Sequence, residues 1–154
     1  MERVIHADPL VAGKATGELL VSSEPLSFWG GYNHETGEII DRRHPLSGRI
    51  AARRVFALPF SRGSSTTTAV LLEAIRAGTA PAAILTTDHD SFFALASIVA
   101  DELLQSPVPV LALDAADFFM LRTGDYATIR EDGTITLQTR GPENGLDKFL
   151  RHSL

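Results

Sequence analysis

The feature that most constrains this 154-residue chain is a change of hydrophobic period around a short glycine turn. Apolar residues 55–60 come before Arg62-Gly63-Ser64-Ser65, residues 65–77 have helical spacing up to Gly78, and residues 81–86 are again apolar. This order predicts one βαβ unit with parallel strands and a right-handed crossover. The carboxyl ends of both strands, with residues 61–65 and 87–90, should then lie at one edge of the sheet.

Short strands are predicted on both sides of this unit, because turn residues recur at short intervals. Before it, glycine and proline turns separate the apolar residues 17–22, 26–29 and 38–41. After it, residues 108–113 form a buried apolar run, and residues 126–130 and 134–139 flank Asp132-Gly133, which is a hairpin signal.

A second helix is predicted behind a cap at Asp90 or Ser91. Its apolar residues recur at the spacing of one helical face. They are Phe92, Leu95, Ala96, Val99 and Leu103.

These elements predict an α/β fold in one layered domain that covers residues 1–154, with residues 1–10 and 141–154 peripheral. A chain of this length buries roughly 70% of the surface that its unfolded form exposes. It has no repeat or linker that would divide it. We therefore expect one hydrophobic core system built on the βαβ unit and its flanking strands.

Composition excludes several kinds of site and partner. The chain contains no cysteine, so it supplies neither a thiolate nucleophile nor sulfur ligands for zinc or iron–sulfur centres. Its net charge of −5 and the absence of a basic run argue against nucleic acid as a partner. No apolar stretch approaches the roughly 20 residues of a membrane span, and the first residues do not resemble a secretion signal. We expect a soluble, cytoplasmic protein.

The turn at Arg62-Gly63-Ser64-Ser65 is the strongest candidate site. A helix that starts after a strand presents unpaired N–H groups, which favour negative charge, beside its first hydroxyls. One of the two serines could instead merely cap the helix. Three threonines follow, beginning with Thr66, and their hydroxyls would suit ligand contacts as well as caps.

A serine at this place could act as a nucleophile or as a base. The Gly-x-Ser-x-Gly turn of serine hydrolases is missing, although His89 could lie nearby. A serine alkoxide needs more help than the helix gives, because a helix terminus contributes up to ~2 kcal/mol, little more than about one pKa unit. A metal-bound substrate or a second subunit would have to supply the rest.

Three other segments carry weaker signals. Asp88 and His89 could be ligands or a base, or belong to a polar turn before a helix. Trp29-Gly30-Gly31 could anchor the core with its aromatic ring or let the backbone approach a substrate or partner. His44, before a proline, could hold a rigid turn or bring an imidazole into a cleft.

Six ordered motifs together resemble the small subunit of aconitase X proteins, over residues 11–135. They are Pro25-Leu26-Ser27-Phe28-Trp29-Gly30-Gly31, Thr36-Gly37-Glu38-Ile39, His44-Pro45-Leu46-Ser47-Gly48, Arg62-Gly63-Ser64-Ser65, Gly78-Thr79-Ala80-Pro81-Ala82-Ala83-Ile84 and Thr123-Gly124-Asp125.

The resemblance implies a swivelling β/β/α domain that docks on a large subunit and forms the active site with it. That subunit would carry the iron–sulfur cluster or iron, and no cofactor would bind to this chain. Ser64 occupies the position that removes a substrate proton in the aconitase superfamily. Arg62, Gly63 and Ser65 would shape the turn and contact a substrate carboxylate, and Thr66 stands where the general aconitase pattern has an arginine.

The resemblance also implies a dehydration. The family's activities are dehydration of cis-3-hydroxy-L-proline, which we favour because no lysine cluster lies near the turn to hold a phosphate, and dehydration of 5-phosphomevalonate. Two alternatives come from other classes: a swivelling phosphocarrier, which would need a histidine at the helix start, and a regulatory module that binds a small carboxylate.

Overall fold

The computed structural model describes residues 2–62 and 66–139, which form three layers: a small antiparallel sheet, a mainly parallel sheet and a pair of helices. Eight strands form one continuous ladder in the order β1-β8-β7-β3-β4-β5-β6-β2. The strands are β1 (Glu2–His6), β2 (Asp8–Val11), β3 (Ala15–Val21), β4 (Val55–Ala57), β5 (Ala83–Thr86), β6 (Val110–Ala112), β7 (Tyr126–Ile129) and β8 (Thr134–Gln138). The helices are α1 (Thr66–Ala77), α2 (Ser91–Leu104) and the short α3 (Ala115–Phe119).

Strand β3 joins the two sheets. Its first four residues pair antiparallel with β7, and Leu19, Leu20 and Val21 pair parallel with β4. Strands β4, β5 and β6 continue the parallel part, and β7, β8 and β1 continue the antiparallel part. The described strands and helices therefore form the β/β/α arrangement that the resemblance predicts.

Two hydrophobic cores lie on opposite faces of the parallel strands. In β4, Phe56 belongs to the core under α1 and α2, whereas Val55 and Ala57 belong to the core between the two sheets. Successive side chains of a strand point to opposite faces. A strand buried on both faces needs a continuous apolar run, which explains the run after residue 54.

The central unit confirms the predicted order of its elements and the parallel direction of its two strands. Strands β4 and β5 are parallel, with α1 between them in the chain. Helix α1 ends at Ala77, and the following Gly78 has a φ of 78°, the left-handed conformation that glycine adopts without strain. The predicted hairpin is also present as β7 and β8.

Two predicted strands are absent from the described residues. Residues 26–29 and 38–41 contribute only isolated bridges, and the segment between β3 and β4 packs on α1 through its side chains. Phe28 stacks on Tyr32 with ring centroids 4.8 Å apart, and both rings are buried. Glycines with positive φ at 30, 37 and 48 interrupt the segment, so no stretch is long enough to extend a sheet.

Among residues 1–10, which were predicted to be peripheral, those that the structure describes lie in or between the two end strands of the ladder. Strand β1 pairs with β8 at one edge of the ladder, and β2 pairs with β6 at the other. Only Ala7 separates the two strands, and its amide donates to the carbonyl of Gly133. The other segment expected to be peripheral, 141–154, lies outside the described residues.

Helix α2 is rotated relative to the predicted apolar face. Phe93, Ala96 and Ala100 are buried, whereas Leu95 and Leu103 are 50% and 71% exposed. Small residues allow α2 to approach its neighbours closely. The buried Ser97 is satisfied by Val108, because its hydroxyl donates to the carbonyl and accepts from the amide of that residue.

Candidate active site at the carboxyl edge of the parallel strands

The loops after β4 and β5 meet at the carboxyl edge of the parallel strands, as the βαβ unit predicts. The Ser61 amide and hydroxyl each donate to Asp90 Oδ2 at 2.7 Å. Ser61 and Asp90 are both buried. The contact holds Ser61, the residue before Arg62, against Asp90, the residue before α2.

Asp90 caps α2 as predicted. Its Oδ1 accepts from the amides of Phe92 and Phe93, both at 3.1 Å. The predicted cap is therefore confirmed. The contact of the second carboxylate oxygen with Ser61 was missed, because nothing in the spacing of residues 61 and 90 indicates it.

A second contact joins the turn to the Trp29 segment. Leu26 and Ser61 form a parallel bridge, and the Arg62 amide donates to the Leu26 carbonyl at 2.9 Å. The Arg62 side chain is exposed. Two motifs that are far apart in the sequence are therefore neighbours at this edge.

In the segment 25–31, Phe28 rather than Trp29 anchors the core. Trp29 is 70% exposed, so the prediction that its ring could anchor the core was wrong. At Gly31 a Cβ would lie 2.1 Å from the Ser27 carbonyl oxygen, which excludes any side chain. Gly30 has φ of 74° and open space around it. The tight turn presents the indole to solvent.

Gly63, Ser64 and Ser65 lie outside the described residues, so their assigned roles stay predictions. The described residues that follow them form the first turn of α1. Thr67 is 1% exposed, and its hydroxyl has no hydrogen-bond partner among the described residues. The Thr68 hydroxyl donates to the Phe92 carbonyl and links α1 to α2. Thr66 is the first residue of the helix.

His44 is placed in the interior and engages both ring nitrogens. Nδ1 accepts from the Leu46 amide at 3.0 Å, so Nε2 carries the proton of the neutral ring. Nε2 lies 3.1 Å from the Ser22 hydroxyl. These contacts give His44 a clear structural role. Its assignment to substrate binding stays a prediction.

Asp88 and His89 lie in the loop between β5 and α2. Asp88 Oδ1 accepts from the His89 amide at 2.8 Å. His89 Nε2 lies 2.7 Å from Asp8 Oδ2, and both side chains are about two-thirds exposed. Exposed pairs of this kind contribute about 0–1 kcal/mol. The two residues border a cavity of about 220 Å³ that Ser61 also lines, so they lie near the start of the turn.

An apolar cleft at the same edge was not predicted from the sequence. It has a volume of about 530 Å³ and touches the loops after all four parallel strands. Phe119, at the end of α3, borders it and is 83% exposed. The sequence signal that could have located it is the adjacent Phe118–Phe119 pair, of which one ring is buried and one exposed.

Metal-ligating side chains are dispersed in the part of the chain that the structure describes. It contains no group of three or more His, Asp or Glu residues placed to hold an ion. No described helix combines the length and apolarity needed to cross a membrane.

Comparison with known sequences gives consistent matches. The sequence profile described as "Aconitase X swivel domain" matches residues 4–137. A cis-3-hydroxy-L-proline dehydratase of Pseudomonas aeruginosa is 52% identical over 104 residues, which are 68% of this chain and 18% of the relative. A phosphomevalonate dehydratase small subunit of Methanothermobacter thermautotrophicus is 41% identical over 88 residues, 57% of this chain and 67% of the relative.

A comparison of folds gives the same result. The crystal structure of Thermococcus kodakaraensis aconitase X (holo-form) superposes with a TM-score of 0.78 at 27% identity, covering 89% of this chain and 99% of the matched one. The chain spans 18% and 22% of the length of the two hydroxyproline dehydratases that it matches. By its sequence profile and its fold, this chain belongs to the aconitase X swivel domain family.

Proposed function

We propose that this chain is the small subunit of a cytoplasmic hydro-lyase, with the active site between the turn at Arg62-Gly63-Ser64-Ser65 and a large aconitase X subunit. The observation that carries the hydro-lyase assignment is the 52% identity to a cis-3-hydroxy-L-proline dehydratase. The small-subunit assignment is supported by the phosphomevalonate dehydratase small subunits, of which the matches cover 67% and 88%. The position of Ser61 and Arg62 at the carboxyl edge supports it, since ligands of open α/β sheets bind at that edge.

The proposed substrate is cis-3-hydroxy-L-proline. Two dehydratases of that name match, at 52% and 36% identity. Phosphomevalonate is the second candidate, because several small subunits of phosphomevalonate dehydratases also match, at 41% identity and below. Both reactions remove water from a carboxylate-bearing substrate, so the same base and carboxylate contacts would serve either one.

In the proposed reaction Ser64 removes a proton from the carbon next to the one that bears the hydroxyl. The Ser64 alkoxide takes up that proton and becomes a hydroxyl, the electron pair of the broken C–H bond forms the new double bond, and the C–O bond breaks. The leaving hydroxide takes its proton from solvent or from an acid of the large subunit and departs as water. Arg62, whose side chain is exposed, would pair with the substrate carboxylate. The N-terminus of α1 would favour negative charge at the turn by up to ~2 kcal/mol.

This chain does not fit the iron–sulfur cluster that the family implies. It has no cysteine, and its described residues form no group of metal ligands. We assign that centre, or an iron ion, to the large subunit. The Ser64 hydroxyl needs far more stabilisation than the helix supplies, and the partner must also exclude water when it covers the turn.

Surface residues around the turn support a docking function for this edge. Trp29 and Phe119 are largely exposed, and Phe60, just before Ser61, is 45% exposed. Exposed aromatic residues are enriched at protein interfaces. We propose that Trp29, Gly30, Gly31, Gly63, Ser65 and Thr66 contact the substrate or the large subunit, and that Asp88 and His89 lie at the margin.

The test is reconstitution with the large subunit, followed by assays with both substrates. We expect no turnover by the isolated chain, turnover of cis-3-hydroxy-L-proline by the complex, and loss of turnover in a Ser64→Ala complex that assembles normally. If the complex turns over 5-phosphomevalonate but not cis-3-hydroxy-L-proline, the proposed substrate is wrong. A chain that binds a small carboxylate by itself and forms no complex would contradict the subunit proposal.

A further inference from the structure

We infer that Asp90 is a positioning residue for the turn at Arg62-Gly63-Ser64-Ser65, acting through Ser61. The inference rests on the proposed function of that turn. It concerns the second oxygen of the carboxylate, which the capping of α2 does not use.

The two oxygens of Asp90 have separate partners. Oδ1 accepts the two amides at the start of α2, and Oδ2 accepts the amide and the hydroxyl of Ser61. These four donors match the roughly four lone-pair sites of a carboxylate. Asp90 is 8% exposed, and it forms no ion pair with a described Lys, Arg or His. Its charge is therefore held by these hydrogen bonds and by the N-terminus of α2.

A helix cap alone does not require this arrangement. Asp114, which caps α3, accepts one amide, that of Asp117, through Oδ1 at 2.8 Å and is exposed. Ser, Thr and Asn are also efficient caps, and each offers a single acceptor oxygen of this kind. The buried contact of Oδ2 with Ser61 is therefore additional to capping, and it connects two loops at the carboxyl edge.

The contact fixes the residue that leads into the turn. Ser61 is held by Asp90 on one side and bridged to Leu26 on the other, and the next amide, that of Arg62, donates to Leu26. These contacts fix the backbone at Ser61 and Arg62, from which the chain continues into the turn. A displacement of about 1 Å at a reacting group can lower a rate about a hundredfold.

The test compares Asp90→Asn with Asp114→Asn in the complex with the large subunit. Asparagine retains an oxygen for the α2 amides, but its NH₂ group cannot accept from Ser61. We expect Asp90→Asn to lower kcat about ten- to a hundredfold, with a smaller change in KM. Asp114→Asn, which alters only a cap, should keep kcat within about twofold of the wild type. Ser61→Ala removes one of the two donors and should give an intermediate kcat.

Amide hydrogen exchange of the full chain supplies a readout that does not depend on activity. In Asp90→Asn the amides of Ser61 and Arg62 should exchange at least about tenfold faster, while those of β5 stay unchanged. Wild-type kcat in Asp90→Asn, or unchanged exchange at both amides, would overturn the inference. If Asp90→Asn does not fold, kcat and amide exchange of Ser61→Ala test the inference instead. Retained turnover in Ser64→Ala would instead reject the proposed function, so the two failures are distinguishable.

Discussion

At the scale of single residues, Tyr32 shows how one buried polar group fixes the segment between β3 and β4. Its hydroxyl donates to the Thr79 carbonyl at 2.7 Å, and its ring stacks on Phe28. Burial raises the pKa of Tyr32 well above its usual range, because the interior disfavours the charged phenolate. The neutral hydroxyl thus ties this segment to the loop that follows α1.

The pH dependence of stability tests that contact. The pKa of Tyr32 is higher in the folded than in the unfolded chain, so its contribution is complete below pH ~10 and decreases as the pH rises above that value. Between pH ~10 and ~11.5, we expect the free energy of unfolding to fall by up to about 1.4 kcal/mol per pH unit more in wild type than in Tyr32→Phe. Urea titrations measure this difference. Parallel profiles for wild type and Tyr32→Phe would refute the assignment.

Trp29 offers a residue-scale test of the docking edge. It is the one tryptophan of the sequence, so a chain labelled with 5-fluorotryptophan gives a single ¹⁹F resonance. Its exposed indole should show a full solvent isotope shift between H₂O and D₂O in the isolated chain. Addition of unlabelled large subunit should remove most of that shift. A resonance that keeps its isotope shift in the complex would place Trp29 outside the interface.

Residue chemistry explains which site residues the sequence could indicate. Asp90 is recognisable as a cap because capping depends on local spacing. Its contact with Ser61 depends on how two loops meet in the fold. The residues next to Ser61 and Asp90 in the sequence therefore do not indicate it. Likewise, Phe28 and Trp29 are adjacent aromatic residues, and only the turn at Gly31 determines which of them faces the core.

At the scale of secondary-structure elements, the β7–β8 hairpin holds the junction between β1 and β2. Gly133 has φ of 91°, and a Cβ there would lie 2.4 Å from the Ala7 carbonyl oxygen. Gly124 has φ of 101°, but a Cβ there would meet no atom within 4 Å. Substitution at Gly124 therefore tests the cost of the backbone conformation alone, whereas substitution at Gly133 tests that cost together with the close contact.

Alanine at these glycines should have unequal effects. Gly124→Ala should destabilise the chain by about 1–3 kcal/mol, which is the cost of a left-handed conformation. Gly133→Ala carries the same cost and a clash with the Ala7 carbonyl, which adds about 1–3 kcal/mol. Denaturant unfolding measures both variants. Equal destabilisation would show that Ala7 and the hairpin are not in close contact.

Whether an element could be predicted depends on how local its sequence signal is. Helix α1, strands β4 and β5 and the hairpin follow from period and turn residues within a few positions. Strands β1 and β2 were missed because they are edge strands with mixed burial, as the exposed and half-buried residues of β2 illustrate. The face of α2 was misjudged because Ala96 and Ala100 pack closely inside while larger apolar residues remain outside.

At the scale of the whole molecule, the exposed aromatic residues at the carboxyl edge form the docking face that we propose for the large subunit. Phe119 borders the apolar cleft there, and Leu103 lies at the opposite end of α2. Both side chains are more than two-thirds exposed. Aspartate at either position should change folding stability by no more than about 0.5 kcal/mol.

Affinity for the large subunit should distinguish the two positions. Phe119→Asp places a charge in the proposed interface and should weaken binding about tenfold or more. Leu103→Asp should bind within about twofold of the wild type. Calorimetric titration of the large subunit measures both. If Leu103→Asp weakens binding and Phe119→Asp does not, the partner docks at the other end of the molecule.

The central claim is that Ser64 removes the substrate proton in a complex of two subunits. The most direct measurement is the rate at which cis-3-hydroxy-L-proline, deuterated at the carbon next to its carboxylate, loses deuterium in complexes that contain wild type, Ser64→Ala or Ser65→Ala. We predict loss of deuterium with wild type, a smaller reduction with Ser65→Ala that appears mainly in KM, and no measurable loss with Ser64→Ala. Deuterium loss at the wild-type rate in an assembled Ser64→Ala complex would contradict the claim.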